Sequence, residues 1–169
     1  MLASIVTSES RKGEQVLVFS HRVEHCRRVA ADVAREEPRV GLLLGGQDNR
    51  SEFRENVDRL LDGRLRVGVG TYQAIGTGND LPSVARGIAT TPIHSNAPFL
   101  GQVMGRLCRT SERTGKKDAV LYYLWDRRIH GLAPVKRLSH AAKNVKVKVG
   151  ETWVPAKEFL AEEKARGEL

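Results

Sequence analysis

Apolar residues in this chain occur as five short runs, with stretches of helical periodicity between them. The runs are 16–19, 40–44, 65–69, 87–90 and 119–124, and most are continuous rather than alternating. Continuous apolar runs are typical of strands whose two faces are both covered by helices. The pattern therefore predicts buried strands rather than strands with one solvated face.

Helical spacing occupies the intervals between the runs. Residues 23–34 and 50–61 each place apolar side chains on one face, and the second stretch ends at Asp62-Gly63 in the manner of a helix C-cap. A third apolar stripe covers residues 98–110. Alternation of strands and helices at this rhythm predicts an α/β fold with a mostly parallel, doubly wound sheet.

The last part of the chain has a different pattern. Residues 144–149 alternate apolar and polar, which predicts a half-exposed strand with its lysines on one face, and 152–154 is a candidate partner strand. A helix is expected to begin near Pro155. We therefore expect one domain over residues 1–130 and a basic strand-and-helix appendage over 131–169.

Positive charge is concentrated in one part of the chain. The sequence of 169 residues carries 28 Lys and Arg against 20 Asp and Glu, a net +8. Residues 101–150 alone hold twelve basic and three acidic residues, a net +9. This concentration favours a polyanionic partner, namely nucleic acid, nucleotide phosphate or anionic lipid. A solvated basic face is the alternative.

Membrane and secretory signals are not evident in the sequence. No run approaches the roughly 18 apolar residues of a spanning helix, and the first residues lack the basic and apolar regions of a signal peptide. Two cysteines, Cys26 and Cys108, favour a reducing compartment. We expect a protein that is cytoplasmic, or located with nucleic acid in another reducing compartment, and that has no membrane partner.

The strongest chemical signal lies on the third predicted helix. Gln102, Arg106 and Arg109 form the pattern Q-x-x-G-R-x-x-R, in which all three side chains share one helix face. Two guanidinium groups and an amide on one stripe form a donor array suited to phosphate oxygens. An exposed arginine pair of this kind is, on its own, more often simply solvated.

Loops that follow the predicted strands supply a second set of candidates. Thr71 is followed by a Gly-rich stretch that ends in Asp80-Leu81-Pro82, and Gly45-Gly46-Gln47 follows the second strand. Functional loops in such sheets lie at the carboxyl ends of strands, and glycines let backbone amides approach phosphates. A plain connection is the alternative.

Ser20-His21-Arg22 ends the first strand and leads into a helix. Ser20 is a plausible N-cap for that helix, and helix N-termini also attract anions. His21, His25 and Cys26 have spacing that two metal ligands can use, but no further ligands lie nearby in sequence. We expect no metal site.

Taken together and in order, these stretches resemble the C-terminal RecA-like lobe of a superfamily 2 helicase or translocase of the DEAD/DEAH-like kind. Residues 16–22 are similar to that family's motif IV, residues 71–82 to motif V and residues 102–109 to motif VI. The resemblance covers residues 12–126 and implies a RecA-like, three-layer αβα fold.

The resemblance also implies roles for individual residues. Arg106 and Arg109 would be arginine fingers that reach ATP and Mg²⁺ held by a separate first lobe. Nucleotide binding would further involve Gly76, Gly78, Asp80 and Gln102. Contacts to nucleic-acid phosphates would come from Ser20, His21, Arg22, Gly46, Gln47 and Thr71, and the basic tail adds Lys146 and Lys148 as candidates beside Trp153, with a small folded tail as the alternative.

The chain departs from the family in what it lacks. The sequence contains neither the phosphate-loop pattern G-x-x-x-x-G-K-[ST] nor an Asp-Glu dipeptide. We therefore expect no ATP hydrolysis by this chain alone, and an ATP-dependent helicase only together with a first RecA-like lobe. That lobe would belong to the same parent chain or to a separate subunit, and the sequence favours neither.

Two functions from different classes remain after these arguments. The first is the motor lobe described above, acting on single-stranded or duplex DNA, since the motif V version looks closer to DNA-repair and phage-type members of the family. The second is a non-enzymatic basic module that binds nucleic acid or docks on another ATPase. A Rossmann-type nucleotide domain is disfavoured because no G-x-G-x-x-G follows the first strand.

Overall fold

The structure is a computed structural model that describes residues 2–76, 81, 84–91, 105, 107, 118–142 and 144–167. Two compact units are present among them. The first contains the described residues up to 124, and the second contains residues 125–167. The boundary after residue 130 that the sequence suggests stays a prediction.

A five-stranded parallel sheet forms the centre of the first unit. Its strands are β1 (Val16–Ser20), β2 (Val40–Leu43), β3 (Val67–Thr71), β4 (Arg86–Ala89) and β5 (Val120–Tyr123). Their order in the sheet is β2-β3-β1-β4-β5, and every pairing is parallel. The α/β class and the parallel sheet predicted from the continuous apolar runs are confirmed.

Four helices of the first unit are α1 (Leu2–Arg11), α2 (Val23–Ala34), α3 (Arg50–Leu61) and α4 (Tyr72–Gly76). The bounds of α2 and α3 agree with the sequence prediction, and Gly63 after α3 has the positive φ of 80° expected of a C-cap glycine. Residues 105 and 107 are also helical, within the third predicted helix. The sequence did not predict α1.

Helices cover both faces of the sheet, which explains why its strands are apolar on both sides. On one face Val6 of α1 and Val29 of α2 belong to the same buried cluster as Val16, Val18 and Val69 of the strands. The opposite face contacts α3, α4 and Leu107. This is the three-layer arrangement expected of a doubly wound sheet.

Glycines on that second face let side chains approach the strands closely. A Cβ atom added to Gly68 would lie 2.8 Å from the side chains of Leu17 and Leu43, and one on Gly70 would lie 2.1 Å from the carbonyl oxygen of Leu43. Any side chain at Gly70 would therefore separate β3 from its neighbour. Sheet packing, rather than turn geometry, explains these two glycines.

The second unit contains α5 (Arg127–His130), α6 (Ala133–Ala141), β6 (Lys146–Val149), β7 (Thr152–Pro155) and α7 (Ala156–Ala165). The two strands form an antiparallel hairpin closed by a two-residue turn, in which Gly150 has φ 59°. Leu132, Val135, Val147, Ala156 and Phe159 form its core. The strand and the terminal helix predicted for the tail are confirmed, whereas α5 and α6 were not predicted.

Candidate nucleic-acid interface

Three of the predicted phosphate-binding loops begin at neighbouring strand ends. In the sheet β3 lies between β2 and β1, with Leu43 opposite Gly70 and Ser20 opposite Thr71. Because the strands are parallel, the loops that follow them start from one edge of the sheet. The fold therefore brings together 44–47, Thr71 and 20–22, which are far apart in sequence.

At the end of β1, one of the three predicted side chains is buried and the other two are exposed. Ser20 is only 1% exposed, and its Oγ lies 2.8 Å from His25 Nδ1 and accepts a hydrogen bond from the Arg22 backbone N–H at 3.4 Å. His21 and Arg22 are exposed. Ser20 thus fixes the turn from beneath, and the surface here is formed by His21 and Arg22.

Ser20 is not the N-cap of the following helix, contrary to the prediction. The N-cap position of α2 is Arg22, which has extended backbone angles and no side-chain capping bond. The Ser20 hydroxyl instead bridges to His25, one turn into the helix. The predicted phosphate contacts of Ser20, His21 and Arg22 stay predictions.

An aromatic column, Phe19, Tyr72 and His21, supports this edge. The rings of Phe19 and Tyr72 are stacked with centroids 5.7 Å apart, and the His21 ring lies 4.6 Å from Tyr72 on a tilted plane. The Tyr72 hydroxyl donates to the carbonyl oxygen of Thr91 at 2.9 Å, and burial raises the pKa of this phenol. The column joins the ends of β1 and β3 and holds His21 at the surface.

Tyr72 was not predicted as a functional residue. In the sequence it is only one position of the Gly-rich stretch after the third strand. An aromatic side chain directly after a buried strand, at the functional edge of a parallel sheet, was the available signal.

Thr71 begins a short helix rather than an open loop. Its Oγ1 accepts a hydrogen bond from the Ala74 backbone N–H at 3.2 Å, which caps α4. The expectation that the chain leaves β3 directly as a Gly-rich loop is wrong for residues 72–76, since the capped turn satisfies the first backbone donors. Gly76 is the last residue of this helix. Gly78 and Asp80 lie outside the described residues.

At the end of β2, Gly46 takes a positive φ of 113°, a conformation that favours glycine. The Asn49 side chain donates to the Gly45 carbonyl oxygen at 3.3 Å and stabilises this turn. The turn borders a surface groove whose lining consists of Leu44, Gly45, Gly46, Gln47, Arg50, Phe53 and Ala74. Gln47 and Arg50 therefore offer exposed polar groups next to α4.

The structure does not describe the residues predicted to be arginine fingers. Gln102, Arg106 and Arg109 lie outside the described residues, but Gly105 and Leu107 between them are helical. Leu107 is 3% exposed, and a Cβ atom added to Gly87 of β4 would lie 2.5 Å from its Cδ1. Leu107 thus packs on the sheet directly over Gly87, and the role of the arginines stays a prediction.

Lys146 and Lys148 belong to the second unit. Both are exposed and lie on β6 of the hairpin.

Cys26, near this edge, is buried. Burial raises the pKa of the Cys26 thiol to about 11, so this thiol stays protonated at neutral pH. Within the described ranges no three His, Cys, Asp or Glu side chains are grouped as metal ligands. In the same ranges no helix has the length and apolar character needed to cross a bilayer.

Sequence comparisons identified no relative. No protein-family model matches the chain, and no curated protein matches its sequence.

Solved structures, by contrast, match its fold. The E. coli DEAD-box protein SrmB, bound to regulator of ribonuclease activity A, superposes with a TM-score of 0.62 at 19% identity, over 84% of this chain and 78% of that one. T4 UvsW matches with a TM-score of 0.60 at 15% identity, over 97% of this chain and 31% of that one. The Mycobacterium smegmatis helicase Lhr, bound to single-stranded DNA and AMP-PNP, matches with a TM-score of 0.63 at 16% identity, over 83% of this chain and 19% of that one.

The chain thus spans less than a third of UvsW and about a fifth of Lhr. Identities this low bear on the fold alone. Its five parallel strands, their order in the sheet and these matches show that the chain has a RecA-like fold similar to that of these solved structures.

Proposed function

We propose that this chain is the second motor lobe of an ATP-dependent DNA helicase or translocase. The observation that carries the proposal is the sheet edge at which β2, β3 and β1 end side by side. There the exposed groups of His21, Arg22, Gln47 and Arg50 follow neighbouring strands. Cationic and amide donors in such a row suit the phosphates of a single nucleic-acid strand.

ATP binding by this chain alone is not supported by its residues. The sequence lacks the phosphate-loop pattern, so the triphosphate and Mg²⁺ would be held by another RecA-like lobe. When bound there, the nucleotide supplies the free energy of hydrolysis. This chain would contribute Arg106 and Arg109 as stabilisers of negative charge and Gln102, Gly76, Gly78 and Asp80 as nucleotide contacts.

The packing of Leu107 supports a fixed orientation of the segment that carries the predicted finger residues. Leu107 lies between Arg106 and Arg109 in sequence and packs over Gly87 on β4. A buried leucine within the arginine motif restricts how the helix can rotate about its own axis. This restriction is what an arginine finger requires, because its contribution depends on preorganised geometry.

The decisive experiment measures ATP hydrolysis with and without single-stranded DNA. The chain alone is expected to be inactive. Mixed with a first RecA-like lobe from the same parent or a neighbouring gene, it should give DNA-stimulated hydrolysis. Replacing both Arg106 and Arg109 by Ala should lower that rate by about 10³–10⁵-fold, while DNA binding by the chain stays nearly unchanged.

The matched control removes two arginines elsewhere. Arg27 and Arg28 are exposed on α2, and Arg27→Ala with Arg28→Ala should leave hydrolysis unchanged. If the Arg106 and Arg109 variant lost DNA binding as much as turnover, the finger assignment would be wrong. DNA binding without hydrolysis in any mixture would favour the non-enzymatic binding module instead.

A further inference from the structure

The hairpin of the second unit has two chemically different faces. Residues directly opposite on paired strands share a face, and here Val147 is opposite Val154 while Lys148 is opposite Trp153. Val147 is 4% exposed and packs with Ala156 and Phe159. The helix α7 therefore covers the apolar face, and the other face carries Lys146, Lys148, Trp153 and Pro155, all exposed.

The second face combines one large aromatic group with two cations. Trp153 is 49% exposed, and the Lys148 side chain is 51% exposed. Opposed residues of an antiparallel pair have Cβ atoms about 5 Å apart, so the indole and the Lys148 stem are neighbours. Lys146 lies about 7 Å further along the same strand, a separation similar to that of successive phosphates in an extended nucleic-acid strand.

The charge of this part of the chain favours an anionic ligand. Residues 125–167 hold ten basic residues and five acidic ones, a net charge of +5. The Asp126 side chain is engaged in capping α5, where it accepts from the Arg128 backbone N–H at 2.8 Å. Near the hairpin face Glu151 lies 4.0 Å from the Lys148 ammonium group, but it is 99% exposed and such pairs are weak.

We propose that this face of the hairpin is a stacking platform for a DNA single strand, in which Trp153 stacks on a base and Lys148 and Lys146 contact flanking phosphates. An exposed indole beside cations is the combination that proteins use to hold single strands without reading their sequence. The inference rests on the proposed function only in taking DNA as the strand. It adds a second contact, outside the sheet edge, that holds bases rather than phosphates alone.

The test is binding of the full chain to a labelled oligothymidylate of about 20 nucleotides, followed by fluorescence anisotropy. An abasic oligonucleotide of equal length measures phosphate binding alone. We expect the chain to prefer the thymidylate, and Trp153→Ala to weaken thymidylate binding by about fivefold or more with little effect on the abasic strand. Trp153→Phe, which keeps an aromatic ring, should restore most of the preference.

Lys146→Gln combined with Lys148→Gln tests the phosphate contacts. This double variant should weaken binding to both oligonucleotides equally. It should also make the slope of log K against log salt shallower by about 1.4, or about 0.7 per phosphate contact. Lys157→Gln with Lys164→Gln, on exposed positions of α7, removes the same charge and should leave the affinity for both oligonucleotides and the salt slope nearly unchanged. Ile129→Ala, which removes an apolar residue that is 74% exposed, is the control for Trp153.

Far-ultraviolet circular dichroism and thermal melting establish that each variant is folded. The platform is overturned if folded Trp153→Ala keeps the wild-type preference for bases, or if the α7 double variant lowers affinity as much as the hairpin double variant. Either result leaves the motor-lobe proposal standing, because that proposal depends on hydrolysis with Arg106 and Arg109. Conversely, if no mixture with a first RecA-like lobe hydrolysed ATP while the preference for bases persisted, only the motor-lobe proposal would be refuted.

Discussion

At the scale of single residues, Glu37 shows how one buried carboxylate depends on its donors. Its side chain accepts hydrogen bonds from Ser10 Oγ at 2.6 Å and from Arg39 Nε and Nη2 at 2.9 and 3.1 Å. The bonds from Arg39 lower the pKa of Glu37 to about 2, against the opposing effect of burial. The ionised form is therefore stabilised by the fold.

This shift predicts a defined pH dependence of stability. Because the pKa is lower in the folded state, the stabilisation is complete above the unfolded pKa of about 4.5 and is lost as pH falls toward 2. Glu37→Gln should lower the free energy of unfolding by about 2 kcal/mol at neutral pH and by much less near pH 3. Urea denaturation at both pH values measures the difference.

The neighbouring residue supplies the control. Glu36 is half exposed and lies 3.8 Å from Arg11, so Glu36→Gln should change stability by less than about 1 kcal/mol at either pH. An equal loss for Glu37→Gln at neutral and acid pH would show that its effect is packing rather than charge.

At the scale of elements, one ion network joins the first helix to two strands. Arg86 at the start of β4 contacts Glu9 of α1 at 3.0 Å, Glu14 at 3.1 Å and Asp118 at 3.0 Å. Glu9 also accepts from Lys12 and from Tyr122 of β5. The side chains of Glu9 and Arg86 are 5% and 12% exposed, so neither charge is well hydrated.

Removing the central cation should destabilise the first unit. Arg86→Met leaves the buried Glu9 with fewer partners, and breaking such a pair costs about 3 kcal/mol in the free energy of unfolding. Urea denaturation measures this loss. Arg64→Met, which removes an exposed pair with Asp62, should cost less than about 1 kcal/mol.

A double variant separates the network from simple packing. If the cost of Arg86→Met comes from an unpaired Glu9, then adding Glu9→Gln should cost far less than it does in the wild-type chain. Strictly additive losses would contradict the network.

The elements that the sequence predicted share a property, which is a strong apolar period. The continuous runs predicted all five sheet strands, and the apolar faces of 23–34 and 50–61 predicted α2 and α3. By contrast α4, α5 and α6 are short. Local capping supports α4 through the Thr71 hydroxyl on Ala74 and α5 through the Asp126 carboxylate on Arg128. Helices of four to nine residues carry too few periods to be distinguished from a loop.

The site was only partly predictable for a similar reason. Strand ends are visible in a sequence, so the three loops of the edge could be named. Which of their side chains reach the surface could not, because this depends on tertiary contacts. Ser20 is buried by its bond to His25, and Tyr72 is placed beneath His21 by a strand distant in sequence.

At the scale of the whole molecule, the net charge predicts how strongly salt should weaken the proposed binding to DNA. The net charge is +8, and residues 101–150 alone carry +9. Each phosphate contact with a single strand contributes about 0.7 to the slope of log K against log salt. Four contacts would therefore lower affinity for oligothymidylate about 50-fold between about 50 and 200 mM salt.

Anisotropy titrations at several salt concentrations measure this slope, and thermal melting at each concentration confirms that the fold is retained. A flat response would mean that binding does not use phosphates, which would remove the electrostatic basis of both proposals.

The position of β1 has a consequence for how the chain is made. Of the five strands of this sheet, β1 is synthesised first, and its hydrogen-bonding partners β3 and β4 follow later in the chain. Its residues Val16–Ser20 are all buried in the finished sheet. Until β3 and β4 are synthesised, the backbone N–H and C=O groups on both edges of this apolar strand are therefore unpaired. Such edges pair with other chains when they are exposed. We therefore expect fragments that end before residue 67 to aggregate or to recruit chaperones, whereas fragments that include β3 and β4 close both edges of β1.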